Sequence, residues 1–289
     1  MISNNWGNLS MNIYTTYFAN ICNLPENIIP ISIAGKPPEK WNGIEYKKLA
    51  PKWSFFSEWK KTHDNDYYIE HFYSEVLGNL NPEMVMSELI KISFDNNNKD
   101  IAFVCYEVPK DFCHRHLVAN WLNRNGYCVK EYINMDLIKD TDDGVTHINM
   151  YSKSKTSFGK MLSNFYKFPI HTDDGDFLSV EGYWYWLSID ETIKEREELR
   201  TLYGFNAKKR GKEIIKETND GKNSRFDSDF ENKILKAVWY KFRRNAHLIS
   251  PEFRRLPIVH YYCYSGKIVD VTSKYPWLID GITKMRDYL

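Results

Sequence analysis

Runs of apolar and polar positions in the first half of the chain predict short strands followed by helices. Two β-branched and aromatic runs within residues 12–36 predict strands that end in the loop Gly35-Lys36-Pro37-Pro38. Residues 53–92 carry apolar positions at helical spacing. The continuous apolar run Ile101–Glu107 is typical of a strand buried on both faces of a parallel sheet.

A strand–helix–strand unit follows from the residues around that run. The segment CHRHLVANWLNRNG has an apolar stripe at helical spacing and Gly126 as a natural C-terminal cap. The segment YCVKEYI then resumes the pattern of a strand. This spacing predicts a βαβ unit, and therefore an α/β domain with a parallel sheet.

Helical patterns dominate the second half of the chain. A charged, glycine-containing break at residues 136–147 places a domain boundary near residue 145, with domains at 1–145 and 146–289. Two charged helical tracts follow, and the first is broken around Gly204. The C-terminal stretch predicts a hairpin across Ser265-Gly266, so this half is a mainly helical α+β domain.

The composition indicates a folded protein of balanced charge. Apolar residues make up 43% of the 289 residues, which excludes wholesale disorder. A formal net charge of +1 argues against a dedicated nucleic-acid coat and against a polybasic membrane binder. No signal-peptide pattern and no apolar run of membrane-spanning length are present, so we expect no membrane partner.

The cysteines argue against a disulfide framework and a structural zinc site. Their number is odd, and no C-x-x-C motif occurs among Cys22, Cys105, Cys113, Cys128 and Cys263. We therefore expect reduced thiols in a cytoplasmic protein, with no metal and no cofactor.

One carboxylate in the second half is surrounded by aromatic residues in sequence. Glu181 belongs to the segment Phe158–Trp186, which is rich in Phe, Tyr and Trp. Such surroundings disfavour ionisation, so we expect a raised pKa that allows proton exchange near neutral pH. Flat rings beside the acid suit a flat ligand such as a nucleobase. The alternative is an amphipathic helix whose aromatic residues form the core while Glu181 faces water.

A second group of reactive side chains lies where the predicted strand meets the predicted helix. Cys113, His114 and Arg115 open the helix, where free amides attract anions and lower the pKa of a thiol. These residues predict either a nucleophilic thiol or a phosphate cradle. The alternative is a buried small residue beside a hydrogen-bonded histidine and a surface arginine. His114 and His116 do not face each other on a helix, so we expect no metal site there.

Residues 46–131 resemble the domain-of-unknown-function family 488. The matching motifs are Tyr46–Pro51, Cys105-Tyr106-Glu107, Cys113-His114-Arg115 and Val118–Leu122. The resemblance implies a Rossmann-like α/β fold but no established reaction. It also implies a candidate site composed of Cys105, Glu107, Cys113, His114 and Arg115.

Residues 150–280 resemble the NADAR family of N-glycosidases. The matching motifs are Phe158-Gly159, Ser163-Asn164-Phe165-Tyr166, Asp174-Gly175, Ser179–Tyr183, Ala207–Gly211, Lys241-Phe242, Lys267–Asp270 and Trp277. Members of that family hydrolyse ribosylamine phosphates or remove ADP-ribose from guanine bases. The resemblance implies that Glu181 is the catalytic carboxylate, which agrees with the prediction from its aromatic surroundings.

The chain departs from that family at several positions. Gly182 stands where a His is usual, and Phe226 stands where a Trp forms a wall of the site. Ser188 replaces a Lys that often follows the catalytic Glu, and Lys274 replaces an Asp near the final Trp. These changes leave a binding protein without turnover as an alternative function.

The favoured hypothesis is hydrolysis of an N-glycosidic bond in an ADP-ribosylated base, a nucleotide or a ribosylamine phosphate, including one carried on nucleic acid. Glu181 acts as the acid/base, while Asn164 and Tyr166 orient the substrate. The substrate-binding set is Asn164, Phe165, Tyr166, Trp184, Phe226 and Arg243. Arg243 is included because it could contact phosphate, although a cation near a helix C-terminus also complements the helix dipole.

Overall fold

A computed structural model of the protein describes residues 11–218 and 228–288. The chain divides into two compact units, one ending at Leu137 and the other beginning at Ile138. The sequence places the boundary near residue 145, within the second unit. The charged segment before residue 145 belongs to the second unit because Asp143 is bonded to the chain that follows it. The Asp143 carboxylate accepts hydrogen bonds from the Asn149 and Lys155 backbone amides at 2.9 and 2.7 Å.

The N-terminal unit is an α/β domain built on a parallel sheet. Its elements are β1 (Ile13–Tyr17), β2 (Ile28–Ser32), β3 (Ile44–Glu45), α1 (Trp53–Thr62), α2 (Asn65–Glu75), α3 (Pro82–Asp95), β4 (Asp100–Cys105), α4 (His114–Arg124) and β5 (Val129–Glu131). The strand order is β3-β2-β4-β1-β5, and every neighbouring pair is parallel. The predicted α/β fold with its parallel sheet is confirmed.

The continuous apolar pattern of β4 follows from its place in the sheet. β4 pairs with β1 on one side and β2 on the other, and Ile101 to Cys105 are all buried. The stripe on α4 is buried as well, through Val118 and Leu122. Burial of apolar surface on both faces of the sheet is the main stabilisation of this unit.

The C-terminal unit is mainly helical, with short strand pairs. Its elements are β6 (Ile148–Asn149), α5 (Ser157–Leu162), β7 (Ile170–Thr172), β8 (Gly175–Phe177), α6 (Val180–Ser188), α7 (Gly204–Glu217), α8 (Ser228–Arg244), β9 (Ile258–Val259), β10 (Tyr261–Tyr264), β11 (Lys267–Asp270) and α9 (Pro276–Tyr288). A 3-10 helix, Lys194–Thr201, precedes α7, so the predicted break at Gly204 falls at the start of α7. The core contains residues of α5, α6, α8 and α9, including Phe158, Tyr183, Phe242 and Ile282.

Two hairpins of this unit turn at a glycine, and the first of them confirms a prediction from the sequence. β10 and β11 pair antiparallel across Ser265 and Gly266, whose φ angles of 50° and 75° fit a tight hairpin turn. β7 and β8 pair antiparallel, and Gly175 has a φ of 106°, a conformation that disfavours any side chain. Within residues 11–218 and 228–288, no helix has both the length and the apolar content needed to cross a bilayer.

Candidate functional sites

Glu181 is held in the first turn of α6 by a network of backbone and side-chain hydrogen bonds. Ser179 caps the helix, because its hydroxyl accepts from the Gly182 amide at 3.0 Å. The Ser179 hydroxyl also donates to the Leu202 carbonyl at 3.1 Å. The backbone N–H of Glu181 donates to the Asn164 carbonyl at 3.0 Å. The helix start and the Ser163–Tyr166 segment are therefore fixed to each other beside the carboxyl group.

Glu181 lines a cavity of about 530 Å³ in the C-terminal unit. Several walls are aromatic rings, and Lys208, Lys274 and His260 add polar groups. The lining residues are Met150, Tyr151, Ser152, Ser163, Asn164, Phe165, Glu181, Trp184, Tyr185, Phe205, Lys208, His260, Tyr262, Val271, Lys274, Tyr275 and Leu278. This volume is in the usual range for sites that hold small organic ligands.

Burial controls the ionisation of Glu181. The residue is 8% exposed, and loss of hydration raises the pKa of its carboxyl to about 7. Lys208 and, to a smaller extent, Lys212 oppose that rise. The positive end of the α6 helix dipole also favours the ionised carboxylate. Loss of hydration therefore raises the pKa by more than these positive charges lower it. A carboxyl group with this pKa exchanges protons readily at neutral pH.

Trp184 and Tyr185 form walls whose positions are fixed by close packing. The Trp184 ring stacks on Trp277, with centroids 5.9 Å apart and planes inclined by 11°. It also meets the edge of Phe230 at 4.9 Å. Tyr185 packs against Gly211 of α7, where an added Cβ would collide with the tyrosine ring. Both rings are thus held in place by the protein itself.

Asn164 presents an unsatisfied polar atom at the cavity wall. Its Oδ1 is buried and finds no hydrogen-bond partner among the residues that the structure describes. Buried polar atoms without partners are rare in folded proteins, because each costs about 1–3 kcal/mol. A bound ligand with a suitable donor would remove that cost.

Lys241 supports the same segment from behind. It is 0% exposed, and its Nζ donates to the Leu162 and Ser163 carbonyls at 3.2 and 2.9 Å. Burial lowers the pKa of this amine to about 7. Lys241 thereby fixes the backbone that leads to Asn164.

Two further residues predicted to bind substrate, Tyr166 and Arg243, do not line the cavity. Tyr166 packs against the hydrophobic core and does not line the cavity. Arg243 is exposed near the end of α8 and does not line it either. Phe226 lies outside the described residues. Ser188 is buried, and its hydroxyl donates to the Trp184 carbonyl at 2.7 Å, so it does not reach the cavity.

Lys208 and His260 are polar residues of the cavity that sequence reasoning did not place in the site. Lys208 belongs to the Ala207–Gly211 motif, whose residues received no role from the sequence. The alternating pattern His260-Tyr261-Tyr262 favours a core side chain and leaves contact with the site as the alternative, and His260 lines the cavity. Burial, reinforced by Lys208, lowers the pKa of His260 to about 4 despite an opposing effect of Asp270, so its ring is neutral at pH 7.

A separate cavity of about 750 Å³ lies in the N-terminal unit. It is found where β2 and β4 end and α4 begins, the edge of a parallel sheet at which ligands usually bind. The lining residues are Ala34, Gly35, Lys36, Pro51, Trp53, Phe56, Trp59, Lys60, Tyr68, Cys105, Tyr106, Glu107, Phe112, Cys113 and His114. Four of the five residues predicted for this site therefore line one cavity.

Arg115 is the fifth predicted residue, and it does not line the cavity. The residue is 0% exposed and makes a two-pronged ion pair with Glu131 of β5, at 3.2 and 3.1 Å. Its Nη1 also donates to the Glu107 carbonyl at 2.5 Å. Arg115 thus fixes the loop after β4, and it is not the surface arginine of the alternative interpretation.

The predicted low pKa of Cys113 is wrong. Burial raises the pKa of this thiol well above its usual range, and the hydrogen bond and charge of Cys105 raise it further. Arg115 and His114 oppose the rise but do not overcome it. Cys113 does stand at a helix N-terminus, as the sequence predicts, and that position lowers the pKa of a thiol. The loss of hydration of the buried thiolate raises the pKa by more.

Comparison with known proteins gives partial matches. The family model DUF488-N3a, described as the active DUF488-N3 subclade, matches residues 26–126. That span contains all five residues predicted for the N-terminal site, so the resemblance stated for this half is confirmed there. The NMR structure of the E. coli protein YbiA is similar at 20% identity over 52% of this chain and 92% of that chain, with a TM-score of 0.32. No curated protein matches the chain.

Proposed function

We propose that the C-terminal unit hydrolyses an N-glycosidic bond and that ionised Glu181 is the general base. The observation that carries the proposal is a buried carboxyl group, with a pKa of about 7, in the wall of an aromatic and lysine-containing cavity. The substrates that fit are an ADP-ribosylated base, a nucleotide or a ribosylamine phosphate. The sequence motifs around Asn164 and Glu181 support the same reaction.

The chemistry of the lining suits such a substrate. Phe165, Trp184 and Tyr185 offer flat apolar surface to a base or a sugar face. Lys208 and Lys274 offer positive charge to a phosphate or a pyrophosphate. The unsatisfied Oδ1 of Asn164 accepts a hydrogen bond from a sugar hydroxyl or a ring N–H.

The reaction needs a group that takes a proton as the glycosidic bond breaks. The C1′–N bond breaks with both electrons going to the departing nitrogen, which takes up a proton. The sugar passes through an oxocarbenium-like state, which a nearby carboxylate stabilises. Water forms the new C1′–O bond and gives its proton to Glu181, which passes that proton to the departed nitrogen and is ionised again. A base with a pKa near 7 is well matched to this role.

The test compares the wild-type protein with Glu181→Gln and with an exposed control, Glu195→Gln. Each is incubated with DNA that carries ADP-ribosylated guanine, with nucleotides and with ribosylamine phosphates, and released products are measured by mass spectrometry. We expect turnover by the wild type and by the control, and a loss of at least about 100-fold in Glu181→Gln. No product from the wild type with any of these substrates contradicts the proposal.

A binding protein without turnover is the second candidate. It is favoured by Ser188, which stands where the similar family has a lysine and whose hydroxyl is used by the Trp184 carbonyl. In that case calorimetry shows binding of ADP-ribose or a nucleotide, and the ligand is recovered intact after long incubation. Recovery of hydrolysed ligand excludes this second candidate.

A further inference from the structure

Three side chains of metal-binding type meet in the cavity of the N-terminal unit. The donor atoms of Cys105, Cys113 and His114 all lie within 4.8 Å of one another. Cys105 ends β4, Cys113 directly precedes α4, and His114 is the first residue of α4. The sequence analysis considered only a His114–His116 pair. Folding instead brings Cys113 and His114 against Cys105, which lies eight residues before Cys113.

His114 is held in the orientation of a metal ligand. Its Nε2 lies 2.9 Å from the Ile33 carbonyl oxygen, which can only accept, so Nε2 carries the proton. The unprotonated Nδ1 then faces Cys105 Sγ at 3.7 Å. A backbone carbonyl that orients one ring nitrogen and leaves the other for the ion is the usual outer support of a metal-bound histidine.

The distances agree with a tetrahedral zinc ion. Zn–S bonds of about 2.3 Å and Zn–N bonds of about 2.0 Å place a sulfur and a nitrogen ligand about 3.5 Å apart. The observed separation between Cys105 Sγ and His114 Nδ1 is 3.7 Å. Two sulfur ligands lie about 3.8 Å apart in the same geometry, within the 4.8 Å limit that encloses all three donors.

We propose that Cys105, Cys113 and His114 bind one Zn²⁺ ion, with a fourth coordination position open to the cavity. Thiolate and imidazole are the ligands that zinc prefers. Three protein ligands and an open position are characteristic of zinc sites that bind water or a substrate, whereas structural sites have four protein ligands. The cation would also supply the positive charge that two enclosed thiolates need.

The surroundings of the open position indicate what could approach the ion. Glu107 lines the cavity, and its Oε2 lies 3.6 Å from Cys105 Sγ, so a carboxylate stands beside the proposed zinc. Trp53, Phe56 and Trp59 form aromatic walls, with Lys60 placed 5.0 Å from the Phe56 centroid. A flat ligand with a zinc-binding oxygen or nitrogen fits this combination.

The competing interpretation is ordinary packing of two small apolar side chains. Cys105 and Cys113 form a buried cluster with Ala34, against which Phe18 packs. Free cysteines are often buried in this way, without a metal. A thiol of Cys105 that donates to Nδ1 of His114 gives the same contact without a metal ion. The experiment below separates the two interpretations.

The test uses the full-length protein, purified under reducing conditions from a zinc-supplemented medium. Elemental mass spectrometry gives the metal content, and titration of the metal-free protein with Co²⁺ gives the absorption spectrum of the site. We expect about one zinc per chain, a thiolate-to-cobalt charge-transfer band and the strong visible bands of tetrahedral cobalt. Cys105→Ser and Cys113→Ser should weaken zinc binding at least about 100-fold, since loss of an outer support alone costs 10–100-fold.

Cys22→Ser is the matched control, because Cys22 is an exposed thiol that does not line the cavity. It should retain the metal and the cobalt spectrum of the wild type. Circular dichroism checks that each variant is folded. The cobalt spectrum of the wild-type protein tests the site without relying on any variant. Absence of the charge-transfer band, a metal other than zinc as the main occupant, or unchanged zinc content in folded Cys105→Ser and Cys113→Ser overturns the proposal.

Discussion

The buried carboxyl of Glu181 makes the stability of the protein depend on pH. Its pKa rises from 4.5 in the unfolded chain to about 7 in the folded one, so the folded state holds the proton more tightly. Stability therefore falls as the pH rises from about 4.5 to about 7. At 1.36 kcal/mol per pH unit, the full penalty above pH 7 is about 3 kcal/mol.

Glu181→Gln should remove this penalty. We expect the variant to be up to about 3 kcal/mol more stable than the wild type at about pH 8.5. The difference should shrink at about pH 5, where the wild-type carboxyl is protonated. Urea denaturation at the two pH values measures it, and Glu195→Gln serves as the exposed control. Equal stabilities of Glu181→Gln and the wild type at the higher pH would show that Glu181 is hydrated in the folded protein.

Lys208 should set the pH at which the proposed reaction becomes active. Its charge holds the pKa of Glu181 below the value that burial alone would give. In Lys208→Met we expect the rising limb of kcat/KM against pH to move to higher pH, because the carboxyl ionises later. Lys209→Met, an exposed neighbour, should leave the limb in place. A limb that stays where it is in Lys208→Met argues against Glu181 as the ionising group.

For single residues, the sequence predicts those properties that depend on neighbours along the chain. Aromatic residues next to Glu181 sufficed to predict its raised pKa. His260 and Lys208 approach it through the folding of distant segments, which no local pattern reveals. For the same reason the pKa of Cys113 was predicted in the wrong direction, because its helix position can be read from the sequence but its burial cannot.

Close packing between α6 and α7 depends on glycine. Gly211→Ala would push against the base of the Tyr185 ring, which is a wall of the Glu181 cavity. We expect a loss of about 1–2 kcal/mol, since overpacking outweighs the better helix propensity of alanine. Ligand binding should weaken too, because Tyr185 must move. Thermal unfolding and calorimetric titration test both effects.

Lys216→Ala is the control for that change, because Lys216 is exposed on the same helix. It should leave both stability and binding close to those of the wild type. An unchanged affinity in a destabilised Gly211→Ala would show that the position of Tyr185 does not matter to the ligand.

Elements were predicted better than the contacts between them. The βαβ unit was predicted from local features: the continuous apolar run of β4, the apolar stripe of α4 and the Gly126 cap. Each of these features depends on burial or turn geometry within one segment. The partner of Arg115 could not be predicted, because Glu131 lies on the next strand and only the sheet brings them together. Arg115, together with His116, holds the pKa of Glu131 at about 2, although burial of the carboxyl opposes this.

Each unit has its own hydrophobic core, and this should be visible in calorimetry. Ile234 is buried in the core of the C-terminal unit, and Ile31 in that of the N-terminal unit. Replacing either isoleucine by valine removes one methylene, which costs about 1 kcal/mol. We expect each variant to lower the melting temperature of one transition by about 3 °C and to leave the other nearly unchanged.

The two variants control for each other, because they make the same chemical change in different cores. Differential scanning calorimetry with and without ADP-ribose adds a second check, since the ligand should raise only the transition that Ile234→Val lowers. A single transition that moves equally in both variants would show that the units unfold as one.

For the molecule as a whole, composition and periodicity predicted two domains and the class of each. The boundary between the two domains was harder to predict, because the segment after Leu137 has the polar composition of a linker. Its acidic residue Asp143 is in fact a buried acceptor for the chain that follows. The charged cluster thus has the composition of a linker, although its Asp143 carboxylate holds the following backbone in place.

Gly182 sets how closely the first turn of α6 approaches the segment Lys194–Thr201. A Cβ at this position would collide with the Leu199 carbonyl oxygen. Two backbones therefore meet at a point that no side chain can enter. Position 182 tolerates glycine alone for as long as the Lys194–Thr201 segment stays in its place.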